Sequence, residues 1–312
     1  MIRSRLWAFF LPESFMPSET EQNKITWRPA TWPLRSAWML VAGIFFACMG
    51  AFVKAGSAYF SSAELVFYRS AIGLLVIATI MLSRRQTFAT PYFKLHMYRS
   101  LSGGVALALY FYAITHLPLA TAVTLNYTSP MFLGLLMTFV FKEKPHTPLV
   151  VSLIMGFAGV VLLLHPTINQ SQWFAGVLGL GSGFLAGVAF VNVKAMGKLN
   201  EPDGRVVFYF SLLTTAGSAL WMAFTDIHAI NLRSGAILVG IGVAASVAQL
   251  ALTRAYRTGK TMVVGSFAYS TIVFSSIIAL VIFDEALPIM SWVGIGIIIL
   301  AGVIATRAAP AS

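Results

Sequence analysis

Apolar residues along this chain occur in ten long blocks, and short polar connections separate the blocks. Most blocks approach the roughly 20 residues that a helix needs to cross the hydrocarbon core of a bilayer. The pattern therefore predicts an all-α membrane protein with ten transmembrane helices. The predicted spans are 36–56, 64–82, 95–115, 119–141, 148–165, 174–197, 205–225, 235–256, 261–282 and 289–306.

The composition agrees with this pattern. Hydrophobic residues make up 58% of the chain, charged residues make up only 10%, and the mean hydropathy is +0.82. A soluble domain carries about 25% charged residues, so most of this chain is expected to lie in lipid. A formal net charge of +11 could indicate a nucleic-acid-binding protein, but the basic residues lie in the connections rather than on one soluble face. We therefore expect no nucleic-acid partner.

Basic residues are distributed unevenly between the two sides of the predicted bundle. One side holds the polar tail 1–35 and the C-terminal residues 307–312, whereas the opposite loops hold essentially Lys54 and Arg233. Loops rich in Lys and Arg stay in the cytoplasm, so both termini are predicted to be cytoplasmic. The basic residues on the tail side are Arg84, Arg85, Lys94, Arg99, Lys142, Lys144, Lys198, Arg205, Arg254, Arg257, Lys260 and Arg307.

A long stretch of the sequence occurs twice. Ala113–Glu143 returns 142 residues later as Ala255–Glu285. The repeat divides the spans into two sets of five, 36–165 and 174–306. Because five is odd, the second copy must lie inverted in the membrane relative to the first. Inverted repeats permit alternating access, in which the two halves rock about a site near the membrane midplane.

Several segments of the chain follow a recognisable order and spacing. They are Val66–Ser70, Tyr110–Leu119 and Ala122–Phe132, with Glu143 and Glu285 closing the fourth and ninth spans. Through these segments the chain resembles the EamA-type proteins of the drug/metabolite transporter superfamily over about residues 36–306. The resemblance implies a ten-helix bundle in a bacterial inner membrane that moves small organic solutes, often outward.

Carboxylates are missing from the centres of the predicted spans. Every acidic residue of the sequence lies in a tail, in a loop or at a span end. Proton- and cation-coupled carriers commonly keep an ionisable acid near the midplane. The sequence therefore disfavours a permanently cationic solute and proton antiport through a central acid, and it favours a neutral, zwitterionic or anionic solute.

Three residues near the centre of the fourth span are candidates for contacting solute: Asn126, Tyr127 and Pro130. Proline removes one backbone donor and clashes with the carbonyl four residues earlier, here that of Asn126. A freed carbonyl in lipid needs a partner or a wet cavity. One interpretation is that this face lines the solute path. The other is a structural kink that a neighbouring helix satisfies.

Further aromatic and polar side chains are candidates for the same path. Tyr110 and Tyr112 in the third span belong either to an interfacial aromatic belt or to a stacking wall for a planar solute. Tyr269 is the better candidate because it lies mid-span and is the repeat partner of Tyr127. Gln249 in the eighth span either joins two helices or lines the cavity.

Three basic residues inside the spans are candidates for gating or binding. Arg69 lies about 7 Å into the second span, and we interpret it either as a solute or gate residue or as a clamp between helices. Lys54 and Lys194 are repeat partners near opposite membrane faces, and they are the gating candidates. Snorkelling of an isolated lysine near a helix end is the alternative for both.

Three glycines, Gly179, Gly183 and Gly187, repeat every four residues in the sixth span. This spacing is typical of close helix packing, and a sliding interface is the alternative.

The sequence as a whole predicts a secondary, non-ATP transporter of small organic metabolites or drugs. We expect an exporter that works by alternating access, as a monomer or a homodimer. No Walker loop, HExxH, CxxC or nucleophile elbow occurs, so neither an enzyme nor a cofactor or metal site is expected. A membrane scaffold, or a subunit of a membrane complex without transport of its own, is the alternative.

Overall fold

The computed structural model describes residues 32–140, 172–259 and 261–308. It also describes the helical positions 147, 151, 154–156, 158–159 and 161–163. Within these residues the secondary structure is helical and no strand occurs. The helices are α1 (Trp32–Gly56), α2 (Ser62–Ser83), α3 (Phe93–His116), α4 (Leu119–Asn126), α5 (Ser129–Val140), α6 (Trp173–Lys198), α7 (Asp203–Met222), α8 (Leu232–Thr258), α9 (Thr261–Ala268), α10 (Ser270–Phe283) and α11 (Ile289–Ala308).

The predicted spans agree with these helices in position. The first three spans and the sixth, seventh, eighth and tenth each coincide with one helix, with ends that differ by a few residues. The fourth and ninth spans are each divided into two helices. Most of the fifth span, 148–165, lies outside the described residues.

Five segments of the described chain are long and apolar enough to cross a membrane by themselves: Ser36–Gly56, Ser62–Ser83, Leu119–Leu136, Trp173–Lys198 and Leu232–Thr258. Other helices fall short for local reasons. The first turns of α3 contain two charged residues and a histidine, and a break in the ninth span leaves α10 only 14 residues long. The all-helical, multi-pass architecture is confirmed, and the number ten stays a prediction.

The fourth span breaks at Tyr127 and Thr128. Tyr127 N–H still donates to Val123 O at 2.9 Å, but Thr128 N–H turns to Leu125 O at 3.3 Å. A new helix then starts, and Met131 N–H donates to Thr128 O at 3.0 Å. Pro130 lies in the first turn of α5, where its missing N–H would have no partner in any case. The expected kink is therefore a two-residue interruption of the span, and Pro130 lies in the first turn of the helix that follows it.

The hydrophobic core is shared by the two halves of the chain. Helix α1 packs along α8, α3 packs along α6, and α2 packs against α7. The largest fully buried side chains come from both halves, with Phe111 and Leu119 from the first half and Tyr256 and Tyr269 from the second. Burial of apolar surface therefore binds the halves to each other as well as stabilising each one.

Glycines bring each broken span close to a helix of the opposite half. A Cβ atom on Gly183 of α6 would lie 2.7 Å from Leu125 O and 3.1 Å from Asn126 O. A Cβ atom on Gly43 of α1 would lie 2.9 Å from the hydroxyls of Ser270 and Thr271. These contacts are those of close helix packing at small residues.

Candidate functional site

Four buried tyrosines lie around the two helix breaks, and we call them the tyrosine cluster. Tyr110 comes from α3, Tyr127 from the first break, Tyr256 from α8 and Tyr269 from the second break. Each is at most 8% exposed. All four side chains lie in one contiguous hydrophobic core. The cluster is therefore built by both halves of the chain.

Three hydroxyls of the tyrosine cluster are buried without a hydrogen-bond partner among the described residues. They belong to Tyr110, Tyr256 and Tyr269. Buried polar groups in proteins are nearly always paired, so each such group needs an explanation. A tyrosine also presents an apolar ring face beside its hydroxyl. The cluster can therefore stack on a planar solute and donate hydrogen bonds to it.

The structure brings three sequence candidates together in this cluster, Tyr110, Tyr127 and Tyr269. Sequence reasoning missed Tyr256, whose ring stacks on Phe190 of α6 with centroids 4.9 Å apart. The position that matches Tyr256 in the first half is Ile114, so the repeat gave no signal there. Only the packing of α8 against α6 reveals its place.

Asn126 and Gln249 lie at the edges of this region. The Asn126 amide donates to Ser182 Oγ of α6 at 2.9 Å, and Asn126 is half-buried. That contact corresponds to the interpretation in which a neighbouring helix satisfies the break. Gln249 is 6% exposed in α8, and Pro130 is buried at the start of α5. Binding of solute by any of the three stays a prediction.

Tyr112 lies apart from the tyrosine cluster, near the C-terminal end of α3. Its ring stacks on His116 with centroids 4.0 Å apart, and Phe174 meets it edge-on at 6.1 Å. The His116 ring also lies 2.9 Å from the Tyr112 carbonyl oxygen. Tyr112 therefore belongs to an aromatic group at one end of the bundle.

At that same end, Lys54 and Glu285 form a bridge between the two halves of the chain. Lys54 Nζ lies 3.3 Å from Glu285 Oε1 and donates to Leu117 O at 2.7 Å. Glu285 Oε2 accepts the Leu119 N–H at 2.7 Å. The two side chains are only 22% and 17% exposed. This Lys54–Glu285 bridge joins the end of α1, the α3–α4 turn and the loop after α10.

Lys194 occupies the matching position in the second half. It is half-buried in α6, one turn after Phe190. The Phe190 ring stacks on Tyr256 at an interplanar angle of 23°. Lys194 therefore lies one helical turn from a ring that stacks on a member of the tyrosine cluster.

Arg69 lies in a second buried polar region, away from the bridge. It is 3% exposed, as is Arg99 of α3, and both guanidinium groups lie over the ring of Phe210 in α7. Arg99 was counted with the basic residues of the tail side, inside the predicted span 95–115, and its burial was not predicted. Helix α3 begins at Phe93, so Arg99 lies nearly two turns inside it, where neighbouring helices cover it.

Two hydrogen-bonded clamps hold loops of one half to helices of the other. Glu64 at the start of α2 accepts from His228 N–H at 2.8 Å, in the loop after α7. Arg205 at the start of α7 donates to Thr87 O at 3.1 Å and to Thr87 Oγ1 at 2.9 Å, in the loop after α2. Glu64 is thereby committed to a residue other than Arg69.

No group of three or more His, Cys, Asp or Glu side chains is close enough to hold a metal ion within the part of the chain that the structure describes.

Comparison with known proteins places this architecture in a family. The model of the EamA-like transporter family matches residues 35–165. The Pseudopaline exporter CntI of Pseudomonas aeruginosa is 31% identical over 239 residues, which cover 76% of this chain and 83% of the relative. A riboflavin transporter of Vibrio cholerae is 26% identical over 86% of this chain and 91% of its own length.

An uncharacterized transporter of Helicobacter pylori is 28% identical over 85% of this chain and 92% of its own length. A solved crystal structure, 20% identical, superposes with a TM-score of 0.67 over 88% of this chain and 97% of the other, which supports the fold. These relatives are transporters, and the resemblance derived from the sequence is confirmed. The chain therefore belongs to the EamA-like transporter family.

Proposed function

We propose that this protein is a secondary exporter of small organic solutes in a bacterial inner membrane, working by alternating access around the tyrosine cluster. The observation that carries the proposal is a set of three buried tyrosine hydroxyls, near two helix breaks, that have no partner within the described part of the chain. Broken helices at the junction of two repeats are where secondary transporters place their solute site.

Recurring helix ends support two inverted repeats of five spans each, 36–165 and 174–306. Helix α2 begins at Ser62 and α7 begins 141 residues later at Asp203. Helices α4 and α9 have the same length and are offset by 142 residues. The packing between halves recurs too, since the contact of α1 with α8 is matched by that of α3 with α6. The two loop clamps follow the same relation.

The Lys54–Glu285 bridge supports the gating part of the proposal. The positive-inside distribution assigns both termini to the cytoplasm and the bridge to the outer face. The structure would then be the state that is closed to the outside. By the repeat relation, Lys194 would close the inner face in the opposite state.

The solute class is a small organic molecule, neutral, zwitterionic or anionic. The relatives named for pseudopaline and riboflavin support such a solute, and the first supports export. Within the described residues, the acids of the spans lie at helix ends and are bonded there, as Glu64 and Glu285 are. Flux should therefore follow the solute gradient and depend little on a proton gradient.

The test is solute flux by the purified chain in liposomes. A thermal-shift screen of neutral, zwitterionic and anionic metabolites first identifies a solute that stabilises the protein, since a ligand of the native state raises its stability. Flux of that solute is expected in liposomes with the wild-type chain and is expected to fall in the Tyr127→Phe, Tyr269→Phe double variant. If no stabilising solute crosses the membrane, the scaffold alternative replaces the transporter.

A further inference from the structure

A pair of arginines buried between α2, α3 and α7 is not explained by the gating mechanism. Arg69 Cζ lies 5.2 Å from the centroid of the Phe210 ring, and Arg99 Cζ lies 4.2 Å from the same centroid. The two charges are therefore no farther apart than the sum of those distances, and they repel each other. Two like charges in a low-dielectric interior are costly unless an anion neutralises them.

The protein itself supplies no anion to this pair within the described residues. Arg69 Nε has no hydrogen-bond partner there, and neither do Nε and Nη1 of Arg99. Glu201 is close to the start of α3, but its Oε1 accepts from Thr90 at 2.9 Å and from Arg205 at 3.1 Å and lies 3.0 Å from His96 Nε2. Glu201 is thus committed elsewhere. The cation–π contacts with Phe210 compensate only part of the cost of burying two charges.

Further buried donors accompany the pair. The hydroxyls of Ser70, Ser100 and Thr214 are buried and have no partner among the described residues. Two of these residues follow the arginines directly, and Thr214 lies one turn after Phe210 on α7. The same three helices thus hold three further buried hydroxyls that have no partner within the described residues.

A glycine leaves room for the Arg99 guanidinium. A Cβ atom on Gly103 would collide with Arg99 Nη1 and would lie 3.2 Å from Phe210 Cε2. Arg99 therefore folds back along its own helix over Gly103, toward the ring of Phe210. The missing side chain at Gly103 thus lets the Arg99 guanidinium lie in the interior, near Arg69, instead of reaching the solvent.

We propose that Arg69 and Arg99 form a binding site for an oxyanion, a carboxylate or phosphate group. A planar guanidinium can donate two parallel hydrogen bonds to such a group, and charge-assisted bonds of this kind are the strong ones. The oxyanion belongs either to the transported solute or to the headgroup of an anionic lipid. The solute source rests on the proposed transport function and makes the solute an organic anion.

Binding to the purified full-length chain tests the site without requiring flux. In nanodiscs of phosphatidylcholine, inorganic phosphate and succinate are expected to raise the midpoint of thermal unfolding of the wild-type protein. Arg69→Gln and Arg99→Gln are each expected to weaken binding of these probes about tenfold or more, because each removes charge-assisted hydrogen bonds. Arg84→Gln and Lys94→Gln, at exposed positions beside the same two helices, are the matched controls and should bind as the wild type does.

The lipid source is tested in the same assay by replacing part of the phosphatidylcholine with phosphatidylglycerol. Stabilisation by this lipid alone, lost in the two variants, assigns the site to a headgroup. Stabilisation by succinate or phosphate in neutral lipid assigns it to a soluble anion. Absence of both effects, or equal effects in all four variants, would overturn the proposal.

The unfolding midpoint without probe separates binding from a structural clamp. An arginine that only clamps helices should be needed for stability, so Arg99→Gln should unfold at a lower temperature than the wild type. A binding site instead holds unpaired charges at a cost, so the probe-free midpoint should be equal or higher. Arg99→Lys keeps the charge but loses the planar fork, and it should still bind the probes more weakly if Arg99→Gln fails to fold.

Discussion

The Lys54–Glu285 bridge and the Arg69–Arg99 pair are both buried groups of charge, but they are built on opposite principles. In the bridge, Lys54 meets a carboxylate and the Leu117 carbonyl, and Glu285 also accepts from the Leu119 amide. In the pair, two cations face one aromatic ring, and no acid of the described chain reaches them. A buried charge with a partner stabilises the conformation in which the two groups meet. A buried charge without a partner lowers the stability of the protein until a group of opposite charge binds to it.

The tyrosine cluster is of the second kind but carries no charge. Its unpartnered hydroxyls lie where the two halves of the chain meet. A neutral group costs less to leave unpaired than an ion. Leaving the hydroxyls of the tyrosine cluster unpaired therefore costs less than burying the two arginines without an anion.

Removing the charge of Glu285 should have the largest effect. Glu285→Gln leaves Lys54 without its counter-charge and weakens the bond to the Leu119 N–H, which together cost about 3 kcal/mol, or roughly a hundredfold in the closed population. A cysteine at the buried Ala120, in a Cys48→Ser background, should therefore react far faster with an impermeant thiol reagent. Asp284→Asn is the control, since this exposed residue has φ 51°, a conformation that Asn adopts readily. Equal labelling rates in the two variants would mean that the Lys54–Glu285 bridge does not keep the reagent away from position 120.

Adding a methyl group to Gly183 should have the next largest effect. The new Cβ atom would press on the backbone oxygens of Leu125 and Asn126, which cannot move aside, so overpacking should destabilise the protein by about 1–3 kcal/mol. Gly181→Ala on the same helix meets Leu109 at an ordinary 3.7 Å and should be neutral or slightly stabilising. Thermal unfolding in detergent measures both. An unfolding midpoint for Gly183→Ala as high as that for Gly181→Ala would show that close packing of the first helix break against α6 does not contribute to stability.

The smallest effect is expected from removing one hydroxyl of the tyrosine cluster. Tyr269→Phe removes a buried unpaired group and should raise the free energy of unfolding by about 1 kcal/mol while weakening solute binding. Tyr209→Phe is the matched control, because the Tyr209 hydroxyl donates to Phe88 O at 3.0 Å and its loss should destabilise the protein. If Tyr269→Phe destabilises as Tyr209→Phe does, the Tyr269 hydroxyl has a structural partner and the cluster is no binding site.

Much of the fold could be predicted from the sequence because membrane helices follow from apolar length alone. The sequence also contained signals for the positions of both breaks. Pro130 lies beside the first break, and the 142-residue repeat relates Tyr127 to Tyr269 at the second. The burial of Arg99 could not be predicted, because an arginine near the start of a span is usually exposed, and only the neighbouring helices show that this one is covered. Nor could Tyr256, whose burial depends on the contact between α8 and α6.

If the outer end opens during transport, a cross-link beside the Lys54–Glu285 bridge should stop solute flux. Pro118→Cys and Ala286→Cys, in a Cys48→Ser background, place thiols beside the hydrogen-bonded Leu119 and Glu285 while leaving the bridge intact. A short, cleavable bifunctional thiol reagent would then tie the two halves together in liposomes. Solute flux is expected to stop on cross-linking and to return when the linker is cleaved, whereas each single-cysteine variant should be unaffected by the reagent. Full flux through the cross-linked protein would mean that transport does not need the outer end to open.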